Sequence, residues 1–180
     1  MKNFEFDHLI RELKRSSAPV VIFGTKKVGS LTYHALTNAG IKIDYFCDDA
    51  ESALNKKTIY NIPIISSKEL QKLDPELNVF IGAWVVYQIL IQLKKLKIKN
   101  VHNSVNLFKN TDFNKIDTGM SAHEIRRRVD IYNAECNTLT KEDSTEVKVK
   151  YVDITVTEAC SMKCESCSNL MQYYLTPKNS

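Results

Sequence analysis

No stretch of this sequence is apolar for long enough to cross a bilayer. The longest, VFIGAWVVYQILIQL, is broken by Gln88 and Gln92 and falls short of the roughly 20 residues a helical span needs. The start, MKNFEFDHLIRELKRSS, carries acidic residues and no continuous apolar core, so it lacks the form of a secretory leader. Charge of one sign is missing too: 25 basic against 21 acidic residues leaves +4. Basic residues are scattered, with local runs only at Lys94 to Lys97 and Arg126 to Arg128. Both runs fall in segments of helical periodicity, where a solvated face is expected and a phosphate-binding patch is not. The cysteine count is odd, at 5, and three of the five cluster, which argues against a disulfide framework and for a reducing compartment. These absences predict a soluble, cytoplasmic protein with neither a membrane nor a nucleic-acid partner.

What is present is the composition of a folded protein. An apolar fraction of 43% against 26% charged in 180 residues predicts one core, with an appended segment. Phe6, Leu9, Ile10 and Leu13 make one apolar helical stripe in a lead-in element spanning residues 1–17. APVVIFGT reads as a buried parallel strand, Val28, Leu31, Ala35 and Ala39 as the helix after it, and IKIDYFCDD as the next strand. IYNIPIIS is expected as one short strand, followed by a Ser66/Glu69 capping box that opens a helix through Leu73. LNVFIGA, a helix marked by Val85, Val86, Ile89, Leu90, Leu93 and Leu96, and the strand IKNVHNS complete the alternation. The pattern predicts a small parallel sheet with helices on both faces, filling residues 18–110.

The turn after the first strand, GTKKVG, holds Gly24 and Gly29 with no glycine between them. Gly24 suits the sharp turn and Gly29 the helix start, with Thr25 beside them. Lys26 stands where a missing side chain would let a pyrophosphate approach the backbone. Asp48 and Asp49 end the second strand, where a carboxylate either accepts from a ribose or is simply solvated. Cys47 is expected as a small buried hydrophobe, and Trp84 either lines a crevice or packs.

The stretch VVIFGTKKVGSLTYHALTNAGIKIDYFCDD with IYNIPIISSKEL resembles the Rossmann-like amino-terminal module of sugar acyltransferases, methyltransferases and other enzymes of bacterial surface-polysaccharide assembly. That resemblance implies a bound nucleotide or nucleotide-sugar, held at Gly24, Thr25, Gly29 and Asp48.

Beyond it, Ser121 and Glu124 form a second capping-box signature. Ile125, Val129, Tyr132 and Cys136 then mark a connecting helix over 122–138, within a linker region of residues 111–146. Cys136 shares the apolar stripe and is expected in the core. VKVKYVDITVT reads as a strand at 147–157, and Cys160, Cys164 and Cys167 lie just past its end. Three thiols so close call for a shared partner. An iron–sulfur cluster takes cysteine thiolates and tolerates three; zinc would need a fourth ligand, such as Cys136 or Cys47; incidental thiols are the third possibility.

ITVTEACSMKCESCSNL resembles the cluster loop of the radical S-adenosylmethionine superfamily. The resemblance implies that Cys160, Cys164 and Cys167 each ligate one iron of a 4Fe-4S cluster and that S-adenosylmethionine occupies the fourth. It further implies a small-molecule substrate and an electron donor such as flavodoxin or ferredoxin. Ser166 departs from the aromatic residue usual before the third cysteine, which touches adenosine contacts and not iron ligation. Only 13 residues follow Cys167, so residues 147–180 are expected to be the start of a truncated partial (β/α) barrel. The alternative is a non-catalytic nucleotide-sugar module with a vestigial or zinc-binding cysteine loop.

Overall fold

A computed structural model of the chain describes residues 4–139 apart from residue 56. The chain divides into two compact units, Met1–Asp143 and Ser144–Ser180, and all described residues belong to the first. The expected strand at 147–157 and the cluster of Cys160, Cys164 and Cys167 lie outside the described residues.

The described unit is mixed α/β. In chain order its elements are α1 (Phe4–Arg15), β1 (Val20–Phe23), α2 (Lys27–Asn38), β2 (Tyr45–Cys47), α3 (Asp49–Ala53), β3 (Thr58–Ile59) and β4 (Ile62–Ile65). There follow α4 (Ser67–Leu70), β5 (Asn78–Ile81), α5 (Val86–Lys95), β6 (Asn100–Asn103), α6 (Val105–Lys109) and α7 (Ala122–Leu139). Six strands form one sheet in the order β3-β4-β2-β1-β5-β6. β1 pairs in parallel with β2 (Val21 opposite Tyr45) and with β5 (Val21 opposite Val79), and β5 in parallel with β6. All four β1 residues are buried, as a central parallel strand covered on both faces requires.

IYNIPIIS, expected as one strand, is a hairpin. Tyr60 and Asn61 take positive φ angles of 52° and 61°, the backbone a two-residue type I′ turn demands, so β3 runs antiparallel to β4 with Ile59 opposite Ile62. The sheet is therefore mostly, not wholly, parallel. A tyrosine in left-handed backbone is disfavoured; here its ring stacks on Tyr33 at 4.2 Å and its hydroxyl meets Ser30 Oγ at 2.6 Å. The Ser66/Glu69 capping box is fully formed, but α4 stops at Leu70, short of Leu73.

One core runs through the unit. Ile22, Phe46, Phe80, Leu31 and Leu93 are fully buried from the sheet and its crossover helices. Ile10 and Leu13 of α1 and Ile125, Tyr132 and Cys136 of α7 join the same cluster. The lead-in and connecting helices are thus parts of this core. Among the described residues, no helix is long and apolar enough to cross a membrane.

Candidate ligand crevice at the carboxyl ends of the strands

The parallel strands run outward from β1 in both directions, toward β2 and β4 on one side and β5 and β6 on the other. The reversal lies between β1 and β5, and in open α/β sheets the crevice for ligands opens beyond the carboxyl ends at such a point. Three glycines make the closure there. Gly24 follows β1 with φ +109°, and a Cβ on it would lie 2.8 Å from the Gly82 carbonyl oxygen. A Cβ on Gly29 would collide with the Gly24 carbonyl oxygen, and one on Gly82 would lie 2.7 Å from the Gly29 Cα. The start of α2 therefore packs backbone to backbone against the ends of β1 and β5, an approach that only glycine permits.

On the β2 side the predicted residues converge. Thr25 donates to Asp48 Oδ2 from its backbone N–H at 3.1 Å and from its hydroxyl at 2.6 Å. Asp48 Oδ1 accepts the N–H groups of Ala50 and Glu51 at 3.1 and 3.2 Å and so caps α3. A carboxylate offers about four lone-pair sites, and here all are engaged within the chain, so a ribose hydroxyl would have to displace one of these bonds. Partial burial works to raise the Asp48 pKa, but the hydrogen bonds from Thr25, Glu51 and Ala50 outweigh it and hold the carboxyl below the usual carboxylate range. Lys26, at the place expected to obstruct a pyrophosphate, bonds Glu51, whose side chain is buried. That bond and the Glu51 charge raise the Lys26 pKa.

On the β5–β6 side the rim is closed by α7. The Tyr132 hydroxyl donates to the Ile81 carbonyl at 2.7 Å and accepts the Ser104 N–H at 3.0 Å. Ser104 Oγ lies 3.0 Å from Thr32 Oγ1, which donates to the Val28 carbonyl at 2.9 Å. This buried chain of hydroxyls pins α7 to β5, β6 and α2. Burial pushes the Tyr132 phenol far above its usual pKa, so it remains a donor throughout the ordinary pH range.

Nearer solvent, the Arg128 guanidinium stacks over Trp84 with its carbon 4.5 Å from the ring centroid. Glu124 bonds Lys27 and pairs with Arg128 at 3.7 Å. The Lys27 bond leads the causes that hold the Glu124 carboxyl below its usual range. The Ser121/Glu124 capping box is only half made: the Glu124 N–H donates to Ser121 Oγ at 3.2 Å, while the Glu124 carboxylate reaches across to Lys27.

Cys47 and Cys136 are both buried free thiols. Burial raises both pKa values, that of Cys136 to about 11. Among the described residues, no group of three or more His, Cys, Asp or Glu side chains is arranged to hold a metal ion.

Of the predicted site residues, Gly24, Thr25, Gly29 and Asp48 come together, and the cysteine trio lies outside the described residues. Gly82, Glu51, Ser104 and Arg128 were not anticipated at the site, and Tyr132 was expected only as part of an apolar helical stripe. Gly82 had a signal, since it follows β5 just as Gly24 follows β1. Arg128 was concealed in a charge run whose neighbours Arg126 and Arg127 are indeed exposed. No protein-family model, curated protein or solved structure matches the chain.

Proposed function

We propose that the chain carries the cluster-binding loop of a radical S-adenosylmethionine enzyme. Residues 18–110 are its Rossmann-like module for a nucleotide or nucleotide-sugar, and the core begins at residue 147. The observation that carries this reading is the spacing of Cys160, Cys164 and Cys167 directly after an alternating apolar segment. The donor set fits the group: three thiolates satisfy three irons of a cubane and leave the fourth open. The zinc alternative would draw its fourth ligand from Cys47 or Cys136, and both are buried in the core of the described unit.

When reduced and bound, a 4Fe-4S cluster supplies the electron that splits the sulfonium of S-adenosylmethionine into methionine and a 5′-deoxyadenosyl radical. The chain's own work is to present Cys160, Cys164 and Cys167 as thiolates and leave room for the amino and carboxylate groups of the cosubstrate. In the first module, the glycine-closed turn at Gly24–Gly29 and the strand reversal between β1 and β5 support a phosphate-bearing ligand at the strand ends.

Anaerobic reconstitution with iron and sulfide tests the reading. The expected product is brown and contains iron and sulfide in equal amounts, and Cys164→Ala removes both. Stoichiometric zinc, or no bound metal, overturns it. In that case a melting temperature raised by a nucleotide-sugar without iron leaves the non-catalytic binding module as the function.

A further inference from the structure

We propose that Lys27 and Arg128, with Trp84 as the platform that holds the guanidinium, form a phosphate subsite at the β1–β5 reversal, and that Glu124 is an internal anion filling it. The proposal rests on the nucleotide reading above and names where that ligand's phosphate would sit.

Four observations carry it. Lys27 is the first residue of α2 and Trp84 lies in the β5–α5 connection, so the two come from the two loops that flank the reversal. Arg128 lies over Trp84, and its Nε is buried with no hydrogen-bond partner among the described residues. Its closest approach to Glu124, 3.7 Å, is an ion pair longer than a hydrogen bond, which leaves the guanidinium fork short of acceptors. A phosphate, with several oxygens, satisfies such a fork better than one carboxylate oxygen shared with Lys27.

The third observation is that Glu124 is free to leave. Its side chain is 28% exposed, against 9% for Glu51 in the neighbouring pair with Lys26. Displacing Glu51 would disturb a buried charge, whereas Glu124 turns into water at little cost. Fourth, Glu124 has somewhere to go. It stands three residues after Ser121, whose hydroxyl already caps the Glu124 N–H. Rotating its carboxylate back to the Ser121 N–H completes the capping box. A phosphate arriving at Lys27 and Arg128 would thus exchange one carboxylate contact for another.

The test uses the full 180-residue chain. Trp84 is the only tryptophan, so its emission reports on the guanidinium stacked above it. Inorganic pyrophosphate and uridine diphosphate are each titrated into the wild type, Glu124→Gln, Lys27→Met and, as a control at the opposite end of the sheet, Lys99→Met. Pyrophosphate is expected to change Trp84 emission, to bind Glu124→Gln about five- to tenfold more tightly than wild type, in the usual range of site-to-site coupling, and to bind Lys27→Met at least about tenfold more weakly. Lys99→Met should match the wild type. These are surface exchanges, and an unchanged circular-dichroism melt confirms that each variant folds. Equal affinity of Glu124→Gln and wild type for both ligands overturns the subsite, while uridine diphosphate binding would still uphold the nucleotide reading. Pyrophosphate binding with the expected ranking, but no gain from the nucleoside, upholds the subsite and removes the nucleotide. No response from any protein overturns both.

Discussion

The two halves of the rim beyond the carboxyl strand ends are closed in different ways. On the β2 side the closure is local: Thr25–Asp48 and Lys26–Glu51 join residues 23 and 25 positions apart, from the turn after β1 to the start of α3. On the β5–β6 side it is remote: Tyr132 reaches Ile81 across 51 positions, and Glu124 reaches Lys27 across 97. The local half uses a saturated carboxylate with every acceptor engaged. The remote half combines a fully buried hydroxyl network with one partly exposed, exchangeable ion pair. The local half thus serves as frame, and the helix that closes the remote half carries the replaceable contact.

The glycine junction between the halves should be the most sensitive point. Gly29→Ala drives a Cβ into the Gly24 carbonyl and is expected to cost on the order of 4 kcal/mol or more, read as loss of a cooperative urea transition. Tyr132→Phe should come next. It leaves the Ser104 N–H unsatisfied in the core and the Ile81 carbonyl with only the Ser104 hydroxyl, at 3.3 Å, as donor, at about 2 kcal/mol. Amide exchange should then quicken in α7 and not in β1 or β2; equal quickening everywhere would erase the distinction between the halves.

Asp48→Ala removes the α3 cap and the Thr25 clamp together and should cost about 2 kcal/mol at neutral pH, as measured by urea denaturation. Because the Asp48 carboxyl is held low in the folded chain, its contribution is complete above the unfolded-state pKa. It is lost as pH falls through the folded value, so the gap between variant and wild type should close below about pH 4. Smallest are the caps. Ser66→Ala breaks a complete capping box and should lower stability by about 1 kcal/mol. Ser121→Ala breaks only a half-made one and should cost roughly half as much. Equal losses would mean that Glu124 caps its own helix in solution and that its bond to Lys27 is not formed there.

Much of the local half was legible in the chain. The apolar run of β1, the spacing of α2, the two glycines and the acidic strand end all lie within about 30 residues, the span over which a strand–helix–strand unit writes its pattern. The inward stripe of Ile125, Tyr132 and Cys136 on α7 was legible for the same reason, because helical periodicity is local. The Tyr60–Asn61 turn was missed since neither residue is glycine, and its left-handed backbone is stabilised by stacking on Tyr33, a partner 27 positions upstream. A capping box also reads the same in sequence whether or not a distant lysine draws its glutamate away, and Ser66/Glu69 and Ser121/Glu124 differ in only that respect.

Sequence by itself determined the alternation of strands and helices, the inward faces of the helices and the spacing of Cys160, Cys164 and Cys167, since periodicity and spacing are properties of neighbouring residues. Tertiary structure decided that Asp48 is saturated, that Gly82 completes the glycine junction, and that Lys27, Trp84, Glu124 and Arg128 meet. Those outcomes depend on which strand ends and helix starts the sheet order brings side by side, and short-range pattern carries no record of that.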